Sequence, residues 1–182
     1  MSTSAAPAWA EEYRLDQLLA EPAVRAVIAA AGVPVVDAVP SAAQFLADFQ
    51  DLPFIGSAIG RGADRGHRLG LRWGLRAGAE RTAEFDEPVG RVLVAALCSL
   101  ARHRLALRQV TQHTNGCSLE AAIPSDWRTF GGTLTVTALL GATGTAVRVE
   151  AEFGGQLYDW GAGKKTVAAF LADLPGLLTA QP

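Results

Sequence analysis

Nearly half of this 182-residue chain is hydrophobic (49%) and only 19% is charged, which excludes a disordered tail and supplies enough apolar material for a sizeable core. A formal net charge of −2 excludes the overall basic excess of a dedicated nucleic-acid binder, so any electrostatic function must come from where the charges sit. Two cysteines, Cys98 and Cys117, with no Cys-x-x-Cys spacing, exclude a disulfide framework and a thiolate zinc site and are expected to be ordinary thiols.

The start, "MSTSAAPAWAEEYRLD", lacks the basic region and apolar run of a signal peptide, so the cytoplasm is the default location. A helix is expected over Ala10 to Ala20. Pro22, placed as a first helical residue, opens a second that runs to Ala31, with Gly32 as its stop. Leu18, Leu19, Val24, Val27 and Ile28 supply their inward faces. Ser41 with Gln44 three residues later is a capping-box signature, and Phe45, Leu46, Phe49 and Leu52 give the stripe of a third helix that Pro53 ends. Residues 1–53 therefore form a helical segment.

Residues 54–78 form an arm of unusual composition. Glycine stands at every fourth position from Gly62 to Gly78, with Arg61, Arg65, Arg68, Arg72 and Arg76 beside it and only Asp64 to oppose them. Residues 1–60 are the counterpart, with seven acids against two arginines. From Leu69 to Ala77 the alternation of apolar with Arg or Gly also fits a strand. Helix is favoured for 61–78: small residues at that spacing let another helix approach closely, as in a glycine zipper, although each interior glycine costs about 1 kcal/mol relative to alanine.

From residue 79 the period changes. "ERTAEFD" at 80–86 fits a strand, and Pro88 opens a helix whose Val89, Val92, Leu93, Ala96, Leu97 and Leu100 share one face. About four strands follow: one begins at Leu105 and Leu107, and Asn115-Gly116 is the strongest hairpin signal. Leu119, Ala121 and Ile123 alternate next, then Leu134, Val136, Ala138 and Leu140, then Val147, Val149, Ala151 and Phe153. One greasy and one wet face per strand is the pattern of an antiparallel sheet covered on a single side. A last helix carries Val167, Phe170, Leu171 and Leu174. The fold class is α+β: an antiparallel sheet of about five strands with two covering helices at 79–182, preceded by the helical segment and the arm. The uncharged stretch 129–147, with six threonines and four glycines, is too polar for a spanning helix.

The order of elements resembles helix-grip folds of the START-like (SRPBCC) kind. "GQLYDWGAGKK", residues 155–165, resembles the Gln-x-x-Asp-Trp-Gly signature of an uncharacterised bacterial α+β domain, carried here by Gln156, Asp159, Trp160, Gly161 and Lys164. The resemblance covers roughly the last hundred residues and implies a fold, with the motif joining the last strand to the last helix. It implies no activity. Ala162-Gly163 departs from the family's usual pattern.

Chemistry-bearing constellations are few. "GAGKKT" fails as a phosphate loop, because Tyr158 stands where glycine is required and Lys165 where Ser or Thr is required; the plainer expectation is that Asp159 caps the last helix and Trp160 packs. His103, His113 and Cys117 cluster near one hairpin without completing a metal set. Ser118 and Ser125 lack a histidine or acid placed by any nucleophile motif, and Glu150 with Glu152 fits a wet sheet face. No catalytic residue, cofactor or metal is expected. The expectation is a binding or assembly protein whose arginine row meets an anionic partner, its own acidic helices, or a second copy through the glycine side. The alternative is a carrier of an apolar small molecule, in a cavity lined by Leu134, Val136, Val149, Phe153 and Phe170.

Overall fold

Apolar alternation organises the second half into a single sheet. A computed structural model of the chain describes residues 7–31, 76–125, 131–154 and 160–181. Five antiparallel strands stand in the order β1-β5-β4-β3-β2: β1 (Arg76–Phe85), β2 (Ala106–His113), β3 (Gly116–Ile123), β4 (Gly132–Leu140) and β5 (Thr145–Gly154). Helix α3 (Val89–Arg102) joins β1 to β2, and α4 (Ala162–Thr179) follows β5. The α+β class and the five-stranded antiparallel sheet with its covering helices are as expected. Leu119, Leu134, Val136, Val147, Val149 and Phe153 lie fully buried beneath the helices.

Strand β1 corrects the arm's boundary. It begins at Arg76, so Arg76–Gly78 are extended and belong to the sheet, where the helix favoured for 61–78 would have had them coiled. The physical reason is pairing: Ala77 stands opposite Phe153 and Gly78 opposite Glu152. A Cβ on Gly78 would lie 2.3 Å from the Ala151 carbonyl oxygen, so this glycine serves a close strand approach. Residues 54–75, with Arg61, Arg65, Arg68 and Arg72, lie outside the described residues.

Helix α3 is buried on both sides. The expected face packs on the sheet, but Val94, Ala95 and Cys98 are buried as well. Their cover is the N-terminal segment: a 3-10 turn (Ala8–Glu11), α1 (Leu15–Ala20) and α2 (Pro22–Ala30), whose Trp9, Leu15, Leu18, Leu19, Val24 and Ile28 join the same core. The molecule therefore has three layers: N-terminal helices, α3 with α4, and sheet. The continuous helix expected over Ala10–Ala20 is broken at Glu12–Arg14. There Gln112 on β2 holds the chain, donating from Nε2 to the Tyr13 carbonyl (2.9 Å) and accepting from the Leu15 N–H (3.3 Å). The acids of this segment face solvent; Asp16, for example, pairs with Arg14 at 3.3 Å.

Burial dominates the thiols. It pushes Cys98 up to about 11 against a smaller opposing pull from Arg102, and it raises Cys117 to about 11. Both are inert, as expected of buried cysteines.

The β2–β3 hairpin forms where the Asn-Gly signal places it, by another device. Thr114 and Asn115 make the loop, neither with positive φ, and Gly116 already pairs with His113. A Cβ on Gly116 would meet the Ala138 carbonyl oxygen at 2.1 Å, so β4's proximity requires the glycine.

Arg91 fastens the far end of α4. Its guanidinium donates to Glu87 Oε2 (3.0 Å) and to the Leu178 carbonyl (2.9 Å), a cation at a helix C-terminus. Gln181 Nε2 returns a bond to the Arg91 carbonyl at 3.1 Å.

Candidate functional site

One end of the sheet–helix sandwich carries a cleft of about 440 Å³, walled by His103, Leu105, Ile123, Pro124, Phe153, Ala162, Lys165, Thr166, Ala169 and Phe170. Three local devices build it. After α3, Arg104 takes a left-handed conformation (φ 54), while the Leu105 N–H bonds the Leu100 carbonyl (2.9 Å) and the Arg104 N–H bonds the Ala101 carbonyl (2.9 Å). That is a Schellman stop, with arginine where glycine is usual, and it turns Leu105 inward. Before α4, Trp160 (φ 52) and Gly161 (φ 78) are both left-handed and swing the chain into the helix. Strands β3 and β5 end here with Ile123 and Phe153.

The cleft's two basic side chains differ in availability. His103 Nε2 lies 2.9 Å from Asp173 Oδ2, which also accepts from Ser99 Oγ at 3.3 Å. This trio ties α3 to α4. Its acid stands between the serine and the histidine, so no base adjoins the hydroxyl as a nucleophile needs. Lys165 makes no ion pair with a described residue.

The predicted site residues divide. Of the five expected to line a cavity, Phe153 and Phe170 wall this cleft, whereas Leu134, Val136 and Val149 are sealed in the core. Of the motif, Gln156 and Asp159 lie outside the described residues. One expectation is corrected: Trp160 is 71% exposed rather than packed inward. Gly161 holds the cap position of α4, and the expected capping side chain, Asp159, falls in the part of the motif not described. Lys164 is exposed and off the cleft; its neighbour Lys165 is the one that reaches it. Sequence reasoning missed His103, Leu105, Ile123 and Lys165 as a group because they come from three separate places, the α3–β2 turn, β3 and α4. In the sequence Lys165 stands out only as the residue that breaks the phosphate-loop pattern.

No family model, curated protein or solved structure matches this chain.

The sheet's other face is acidic, and among the described residues no helix packs on it. Register aligns Gln109, Glu120, Thr135, Glu150 and Glu80 in one row, and Thr111, Ser118, Thr137, Arg148 and Thr82 in the next. Arg148 binds Glu80 with two nitrogens (2.8 Å each) and Glu150 at 3.3 Å. Those bonds, that to Glu80 first, raise the arginine's pKa further. Glu84 and Glu152 share this face by register. The hairpin also gives Ser118 the histidine that no motif predicted: His113 Nε2 is 2.7 Å from Ser118 Oγ, which meets Thr137 Oγ1 at 2.8 Å. On an open sheet, with no described group orienting the imidazole's other nitrogen, the pair is surface bonding. Cys117 points to the opposite, buried face, so His103, His113 and Cys117 are not brought together. Among the described residues no group of His, Cys, Asp or Glu could hold a metal, and no helix is long and apolar enough to cross a membrane.

Proposed function

We propose that this chain is a non-catalytic binding protein that holds an apolar small molecule in the cleft between the start of α4 and the ends of β3 and β5. The observation that carries this reading is the cleft itself: about 440 Å³, a size ordinary for small-molecule sites, with Leu105, Ile123, Phe153, Ala169 and Phe170 supplying apolar walls. A ligand that binds only the folded state raises its melting temperature. 1-Decanol should therefore stabilise the protein in a thermal melt, and Ala169→Trp, which fills the cleft from α4, should abolish the shift. Thr166→Phe blocks from the next turn should the first variant fold poorly. No shift with decanol, or an equal shift in both blocked variants, overturns the reading.

A second reading concerns the arm, and its five arginines against a single acid favour it. We infer that Arg61, Arg65, Arg68, Arg72 and Arg76 contact an anionic partner. Exposed ion pairs contribute only about 0–1 kcal/mol each, so several must act together. Retention on heparin should fall steeply with salt and vanish in Arg68→Glu/Arg72→Glu. Retention indifferent to both changes would dismiss an anionic partner.

A further inference from the structure

We infer that the ligand of this cleft is an amphiphile with one anionic headgroup, a carboxylate of alkyl-chain type, seated on Lys165; this rests on the cleft reading above and deepens it. The argument begins with charge. A cleft walled by Leu105, Ile123, Phe153 and Phe170 selects for an apolar body, and a purely apolar guest would give Lys165 nothing. His103, the other ionisable wall, already has Asp173 at 2.9 Å, so its demand for an acid is met from within the protein. Lys165 lines the cleft and makes no ion pair with an acid among the described residues. A lysine so placed lays its methylenes on apolar surface and keeps its ammonium at the water boundary, where a headgroup would sit when the tail is buried. An ionised acceptor on the ammonium makes a charge-assisted hydrogen bond that an alcohol cannot match.

Isothermal titration of the full chain with decanoate and with 1-decanol, at neutral pH and low salt, separates headgroup from tail. Decanoate should bind about tenfold more tightly than decanol, and the preference should shrink at high salt. Lys165→Ala and Lys165→Glu should remove the preference, whereas Lys164→Ala, off the cleft, should retain it. Equal affinity for the two ligands in the unaltered protein, or a preference that survives Lys165→Ala, overturns the headgroup assignment while the apolar cleft stands. Binding of neither ligand overturns both.

Discussion

Replacing Gly90 by valine should destabilise the protein by about 3 kcal/mol or more and loosen the whole N-terminal layer, with Gly90→Ala costing about 1–3 kcal/mol. Gly90 lies in the first turn of α3, where the chain of the 3-10 turn crosses it. A Cβ there would stand 2.3 Å from the Trp9 carbonyl oxygen, 2.6 Å from that of Ala10 and 2.8 Å from that of Glu12. All three obstacles are backbone, so no side chain can rotate aside. Helix propensity argues the opposite way, since alanine is better than glycine in a helix by about 1 kcal/mol. Three carbonyls closer than any real Cβ contact decide the sign. Relief requires the N-terminal segment to lift, which uncovers Val94, Ala95 and Cys98 and withdraws Trp9 and Leu18 from the core. Urea unfolding measures the loss, and limited proteolysis near residues 12–14 reports the lifting. Gly176→Ala in α4 is the control: nothing lies within 4 Å of its added Cβ, so it should gain up to about 1 kcal/mol. If Gly90→Ala behaves like Gly176→Ala, the close approach of the two layers is wrong.

Phe153→Ala should cost about 3–5 kcal/mol, the usual loss for a buried phenylalanine. The ring is fully buried on β5, faces Ala77 across the β1 pairing, and has its Cδ1 only 2.9 Å from where a Cβ on Gly132 would stand. Glycine on β4 therefore makes room for it. The same ring closes the inner wall of the cleft. The substitution should thus lower stability and deepen the binding site together, so that a bulkier alcohol than decanol gains affinity in the variant. A loss below about 1 kcal/mol in urea unfolding would show that the ring is loosely held.

Strand alternation made the sheet legible because each strand has one covered face, and period two then shows directly in residues such as Val147, Val149, Ala151 and Phe153. Helix α3 was legible as a helix but not as a central one. Its apolar residues were assigned to one face, although Val94, Ala95 and Cys98 already made the far side greasy, which is the mark of a helix covered all round. The beginning of β1 was obscured by glycines that satisfy a helical packing spacing and a close strand approach equally well, and only the partner strand distinguishes them. Asn115-Gly116 carried the right hairpin for a different reason, since the glycine's constraint comes from β4, distant in sequence. The cleft was half legible: Phe153 and Phe170 follow from periodicity, whereas Lys165 and His103 converge because two left-handed turns, at Arg104 and at Trp160-Gly161, aim their elements at one end of the sheet. Arginine and tryptophan give no advance notice of such turns.

Because α3 is wrapped from two directions, synthesis of this chain has an inherent order problem. Trp9, Leu18, Val24 and Ile28 leave the ribosome long before residues 89–102 exist to receive them. Until then these side chains lack the surface of α3 to bury on, and the segment that carries them must wait, greasy on that side, for its acceptor. A nascent chain halted short of α3 should be a preferred client of chaperones that recognise exposed apolar segments, and the need should disappear once that helix has been made.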